Sequence, residues 1–255
     1  MIVIDNIYYY VYINFGGEFV EPIIEVKDAK KIYRVGNEKV VALDGVSFTI
    51  NKGDFCCLLG SSGSGKSTLL NIMAGIEKIT SGEVLIKGKK ITKMGEHQWA
   101  KFRQKYLGFV FQSYNLINSL NAIENVELPM IFKEISRKKR LIKSKEMLEK
   151  VGLKDRMKHK PTQMSGGQQQ RVGIARAFVA KPEVVFADEP TGNLDSKTSR
   201  EIMSIIKKMA REYNQTIVMV THDVEIAKYA NKIINIHDGK IVSIEQGENK
   251  NEETI

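Results

Sequence analysis

Short apolar runs dominate two parts of the chain, and a longer helical spacing separates them. Residues 23–34 and 40–50 read as strands joined by a turn at Gly36-Asn37, and Asn51-Lys52-Gly53-Asp54 turns tightly into a third run, residues 55–59. Residues 68–74 then carry helix-compatible apolar spacing, and strands are predicted at 83–87 and 107–111 with a helix at 96–105 between them. From residue 113 to 163 strand signals fade. Asn121-Ala122-Ile123-Glu124 resembles a capped helix start, and residues 137–151 are amphipathic with Gly152 as the stop. Residues 167–180 are predicted helical, 184–187 a buried strand, and 199–213 a helix whose Ile202, Ile205, Ile206 and Met209 form one apolar stripe. A strand at 216–221, a short helix at 224–229 and a hairpin around Asp238-Gly239 complete the pattern. The alternation predicts an α/β fold with a mostly parallel sheet, an antiparallel β portion near the start, and an inserted helical subdomain at about 113–180.

The two ends differ from the rest. Residues 7–13, Ile-Tyr-Tyr-Tyr-Val-Tyr-Ile, are apolar but too short to span a bilayer, and no basic stretch precedes them as in a signal peptide. Residues 1–22 are therefore set aside as an extension of unassigned role, either an extra edge strand or a product of an upstream start, and 246–255 as a polar tail. Apolar content of 42% and charged content of 27% are those of an ordinary globular protein. Cys56 and Cys57 are adjacent in a predicted core strand, where neighbours face opposite ways. They cannot pair with each other and have no metal-binding spacing.

Charge is unevenly placed. Twelve Lys/Arg stand against four Asp/Glu between residues 131 and 160, so +8 of the net +9 lies there. Such a run is usually a solvated helix face; the alternative is contact with an acidic surface, which could be a membrane, a partner loop or nucleic acid.

The candidate chemistry centres on Gly60-Ser61-Ser62-Gly63-Ser64-Gly65-Lys66-Ser67-Thr68, which fits G-x-x-x-x-G-K-[S/T] between a predicted strand and a predicted helix. Glycines let the backbone curl so that successive N–H groups face inward, and the helix N-terminus adds partial positive charge. Lys66 suits the β- and γ-phosphates, and the Ser67 hydroxyl suits Mg²⁺. A second run, Val184-Val185-Phe186-Ala187-Asp188-Glu189, delivers two carboxylates to the end of a buried strand. Asp188 suits the metal shell, and Glu189 the polarisation of an attacking water.

Met164-Ser165-Gly166-Gly167-Gln168-Gln169-Gln170-Arg171 resembles the LSGGQ signature of ABC-type ATPases, with Met in place of Leu at conserved apolar volume. Other landmarks of that family follow in order over residues 23–244. Gln112 matches the Q-loop glutamine, Asn193-Leu194-Asp195 the D-loop, and His222 the switch histidine. Tyr33 lies where the family keeps an aromatic ring for adenine. Alone, His222 would read as structural; its place directly after a core strand and behind the other motifs changes that. The resemblance implies ATP and Mg²⁺ as cofactors, with Glu189, His222 and Gln112 in catalysis and Ser67, Gln112 and Asp188 at the metal. It implies nucleotide contacts from Tyr33, the phosphate loop, Ser165, Gly166, Gly167, Gln168 and Asp195. It also implies a head-to-tail homodimer sandwiching ATP, and a transmembrane permease partner that holds the chain on the inner face of the cell membrane. Local wording such as Glu124-Asn125-Val126-Glu127-Leu128-Pro129 is similar to the branch serving macrolide export, lipoprotein release and bacitracin resistance through FtsX-type permeases. A cell-division regulator would carry much the same motifs. Chromosome- and repair-type relatives insert long heptads, whereas Gln112 and Ser165 lie only about fifty residues apart here, which argues against nucleic acid.

Overall fold

The fully apolar runs become the inner strands of a mixed sheet, because only strands covered on both faces can be apolar throughout. The computed structural model describes residues 2–4, 7–9 and 22–247. Strands β1 (Ile2–Ile4) and β2 (Ile7–Tyr9) pair with each other and with no other strand among the described residues; the rest of the Tyr-rich run, residues 10–13, lies outside the described residues. Strands β3 (Pro22–Val35) and β4 (Glu38–Asn51) form a long antiparallel hairpin, extended by β6 (Ser81–Ile86) and β7 (Lys89–Lys90) in the order β4-β3-β6-β7.

The larger sheet has the order β12-β11-β5-β10-β9-β8, built from β5 (Phe55–Leu59), β8 (Leu107–Phe111), β9 (Val184–Asp188), β10 (Thr216–Thr221), β11 (Lys232–His237) and β12 (Lys240–Gln246). All neighbours in it are parallel except β12, which pairs antiparallel with β11. Strict alternation divides the core. Cys56, Leu58 and Phe186 join the cluster beneath the antiparallel sheet and helices α1 (Lys66–Met73) and α2 (Glu96–Tyr106). Phe55, Cys57 and Val185 face α5 (Gly166–Val179) and α6 (Ser196–Tyr213) on the other side. The two cysteines are thus buried back to back as free thiols, and burial raises both, Cys57 to about 12. On α6 the expected stripe is present, with Ile202, Ile206 and Met209 buried and Ile205 packed at its margin.

Helices α3 (Ala122–Phe132), α4 (Arg137–Lys150) and α5 pack on one another in the stretch without strands. Asn121 caps α3 reciprocally: its Oδ1 accepts from the Glu124 N–H at 3.0 Å, and its own N–H donates to Glu124 Oε2 at 2.7 Å. Gly152, at φ 75°, ends α4 with its N–H on the Glu149 carbonyl. Trp99 packs between helices: its ring occupies the space a side chain at Gly75 would need and meets Phe102 edge-on at 5.7 Å. After α7 (Val224–Ala227), the hairpin β11–β12 extends to Gln246, the first residue of the expected polar tail.

Candidate functional site

Four parallel strands end within one residue of the same level, and the residue following each is chemically equipped. Register pairs Thr221 with Leu59, Val220 with Asp188, and Phe111 with Asp188. Consequently Gly60, His222, Glu189 and Gln112 leave the sheet side by side, at the carboxyl edge where open α/β sheets bind ligands.

After β5 the chain turns through the phosphate-loop motif into α1. Gly63 and Gly65 sit at φ 79° and 99°, which only glycine adopts without strain. Close approach fixes two more contacts: a Cβ on Gly60 would lie 2.2 Å from the Ile236 carbonyl oxygen, and one on Gly65 2.4 Å from that of Ala42. The loop is thereby held between β4 and β11, with Gly239 N–H donating to the Ser64 carbonyl at 3.0 Å. At the N-terminus of α1 no side chain caps the first N–H groups and no acid occupies the first turn. That leaves aligned donors for an anion. Lys66 is only 5% exposed; its Nζ donates to the Ser61 carbonyl at 2.6 Å and lies 3.5 Å from Ser64 Oγ. Burial lowers its pKa, against the opposing pull of Glu189 and Asp188.

The carboxylates stand opposite. Ser67 Oγ donates to Asp188 Oδ1 at 3.4 Å, so two hard oxygen donors converge. Burial pushes the Asp188 carboxyl above its ordinary range and the Glu189 charge adds to this, while Ser67 and Lys66 work the other way. An anion cradle beside paired oxygen donors and a buried ammonium fits a nucleotide phosphate with Mg²⁺. Glu189 is held at φ 41°, a left-handed conformation rare outside glycine, with its N–H on the Val220 carbonyl and its own carbonyl accepting from Gly192. Its Oε1 lies 3.1 Å from His222 Nδ1. Gln112 Nε2 donates to Asn193 Oδ1 at 3.3 Å, and Asn193 Nδ2 returns a bond to the Gln112 carbonyl at 3.1 Å. A side chain at Gly192 would meet both Gln112 and Glu189.

The signature lies elsewhere. Ser165, Gly166, Gly167 and Gln168 line a cleft with Asn193, Leu194 and Asp195 that includes none of residues 60–68. Two of the expected nucleotide ligands have their side chains engaged as caps. Gln168 Oε1 accepts from the Ser165 N–H, and the Asp195 carboxylate accepts from the N–H groups of Lys197 and Thr198 at the start of α6. Tyr33 reaches the phosphate-loop helix, its hydroxyl 3.4 Å from Thr68 Oγ1.

Several residues went unnoticed in the sequence. Tyr114 and Asn115 follow Gln112 at φ 61° and 48°, and Arg176 on α5 donates to both their carbonyls. The Tyr114 hydroxyl stands where a Cβ on Gly166 would be, 2.6 Å away. Fully buried Asn125, quoted above only as part of a local wording, ties the loop at Ile117 and Leu120 to α3. None of these belongs to a recurring spacing.

With this geometry in place, a family model described as ABC transporter matches residues 43–192. An uncharacterized ABC transporter ATP-binding protein of Methanocaldococcus jannaschii is 51% identical over 222 residues, covering 87% of this chain and 99% of the relative. The macrolide export ATP-binding/permease protein MacB of Escherichia coli is 42% identical over 87% of this chain, which spans only 34% of MacB. A dimeric ATP-binding cassette solved in a post-hydrolysis state with ADP and Pi superimposes with a TM-score of 0.81 at 43% identity, over 88% of this chain and 98% of that one. The chain belongs to the ABC transporter family, as an ATPase subunit.

Proposed function

We propose that this chain binds and hydrolyses ATP to energise an FtsX-type membrane permease that exports or extracts peptides, lipoproteins or antibiotics. The observation that carries the ATPase reading is the shared level at which Gly60, His222, Glu189 and Gln112 leave the sheet, with Ser67 and Asp188 paired beside them. The loop N–H groups and Lys66 bind the phosphates. Ser67 and Asp188, joined by Gln112, would hold Mg²⁺, which would supply charge neutralisation to the phosphates. Glu189 accepts the proton of the attacking water, and His222 fixes the carboxylate that does so. Gln112, bound to Asn193, links the metal side of the site to the D-loop.

The signature cleft is separate from the phosphate loop, so we read Ser165, Gly166, Gly167 and Gln168 as contributing to nucleotide bound by a second copy. The helix N-terminus behind Ser165 offers N–H groups and dipole to a γ-phosphate. The dimeric cassette and the ATP-binding/permease composition of MacB support this assembly. No helix among the described residues is long and apolar enough to cross a membrane. A transmembrane permease partner would hold residues 23–245 at the inner membrane face, with the helical stretch at about 113–180 as the signature subdomain. The test is sizing with Mg²⁺ and a non-hydrolysable ATP analogue. The parent should double in mass, and Ser165→Arg should stay monomeric while still binding nucleotide. Equal doubling by Ser165→Arg would overturn the sandwich.

A further inference from the structure

Next to the phosphate loop, a half-buried cation stands against an aromatic ring without belonging to any motif. Lys31 and Tyr33 project from the same side of β3, two residues apart. The Lys31 Nζ lies 4.8 Å from the centroid of the Tyr33 ring. Its side chain is 13% exposed and pairs with Glu77 at 2.9 Å. The same ammonium donates to the Lys78 carbonyl at 2.7 Å. Neighbouring bonds close the strand onto this segment: Ile32 N–H donates to Thr80 Oγ1 at 3.0 Å, and Thr80 N–H to the Lys30 carbonyl at 2.9 Å. Residues 76 and 77 in turn bond the Asn71 carbonyl near the end of α1. Tyr33 is half-buried, with its hydroxyl at Thr68.

We propose that Lys31 is a positioning residue for the purine of ATP: it occupies one face of the Tyr33 ring and fixes the plane on which the base stacks. The inference rests on the ATP-binding reading above and on the adenine-stacking role that the family resemblance implies for Tyr33. A lysine ordered by a carboxylate and a carbonyl presents its charge at one place, and a cation over an aromatic face is attracted by the ring quadrupole. The ring is thereby held from one side by Lys31 and at its tip by Thr68. The opposite face is then the one on which a nucleobase would stack, with its phosphates at the helix that carries Thr68. A free tyrosine at the end of a hairpin would instead lose side-chain freedom on binding.

Equilibrium binding of ATP and of inorganic tripolyphosphate, with ATPase kinetics alongside, tests this. Lys31→Met keeps the stem and removes the charge. It should weaken ATP binding roughly three- to tenfold, leave tripolyphosphate binding unchanged, and raise KM with kcat preserved. Lys31→Arg should restore ATP affinity. If Lys31→Met does not fold, Lys31→Gln, which can still bond the Lys78 carbonyl, serves the same comparison. Tyr33→Ala separates the two levels of the argument. Unaltered ATP affinity in Tyr33→Ala would remove the stacking role itself. Loss there with full ATP affinity in Lys31→Met would overturn the positioning role alone. A parallel loss of tripolyphosphate binding in Lys31→Met would also overturn it, placing the effect in the phosphate loop.

Discussion

His222 Nδ1 lies 3.1 Å from Glu189 Oε1, so the residue after β10 holds the carboxylate that follows β9. Adjacent parallel strands bring them there, and neither side chain needs to reach far. The strained Glu189 backbone is consistent with a side chain aimed for use rather than for comfort. His222→Ala should lower kcat by about 10²-fold through lost orientation, with the KM for ATP little changed. The same substitution added to Glu189→Gln should then cost far less, because groups acting as one unit are not additive. Additive losses measured in the double variant would show that the two residues act independently.

Asp188 should weaken the fold that it equips. Its pKa is raised above the ordinary 3.8, chiefly by burial, so the folded state holds the proton more tightly than the unfolded chain. Stability from this group is therefore present at low pH and falls as pH rises from about 3.8 through the folded-state value. At neutral pH the full penalty applies. Asp188→Asn should raise the melting temperature of the nucleotide-free protein at pH 7 while abolishing Mg²⁺-dependent hydrolysis, and the gain should shrink as pH drops toward 4. Thermal melts across that range read the effect; a variant less stable than the parent at pH 7 would contradict it.

The sequence was most legible where chemistry and topology coincide. The phosphate loop lies between a buried strand and a helix, and the Asp188-Glu189 pair ends another buried run; both motifs imply their own location. Strands such as Phe55–Leu59 and Thr216–Thr221 were readable because burial on both faces leaves no polar position within the central run. Contacts between distant segments were not readable. Lys31 on Glu77 and the Lys78 carbonyl, Arg176 on the Tyr114 and Asn115 carbonyls, and Asn193 on Gln112 depend on tertiary approach, and a lone Lys, Arg or Asn gives no periodic signal. The caps made by Gln168 and Asp195 show the complementary case. A family motif placed them at a nucleotide, while within one chain their side chains satisfy helix N-termini.

Residues 1–22 should be dispensable for nucleotide chemistry. Among the described residues, strands β1 and β2 pair with each other and with neither larger sheet, and Pro22 only opens β3 opposite Asn51. Deleting them should leave ATP affinity and turnover as in the parent, measured side by side. A large fall in melting temperature would show instead that the segment supports the core.

The basic helix α4 divides into paired and free charges. Arg140 is partly buried, near Glu127 and donating to the Ile135 carbonyl at 2.6 Å. Arg137, Lys138, Lys139 and Lys143 form no ion pair among the described residues. Exposed Leu141 and Ile142 lie among them. If this face meets an acidic partner surface at the membrane, reversing those four to Glu should reduce recovery with permease-containing membranes, most at low salt. Arg140 is left intact to spare the fold. Equal recovery of parent and variant would assign α4 to a solvated face.

Glu189 and Lys66 must fail differently if one activates water and the other holds phosphate. Glu189→Gln keeps the size of the side chain and a hydrogen bond to His222, but loses the basic oxygen. ATP should bind as before, hydrolysis should fall on the order of 10²–10⁴-fold, and a closed ATP-bound dimer should accumulate. Lys66→Ala removes the ammonium that lies within the loop, bonded to the Ser61 carbonyl and near Ser64, and so strips positive charge from a site meant for several negative ones. Nucleotide affinity itself should drop, and no dimer should form at ATP concentrations that saturate the parent. Burial already disfavours the charged form of Lys66, so removing it should not unfold the chain. Melting curves without nucleotide would confirm that both variants are folded, and sizing with Mg-ATP would then separate them. A Glu189→Gln protein turning over ATP near the parent rate would remove Glu189 as the base and leave Asp188 to be tested in its place.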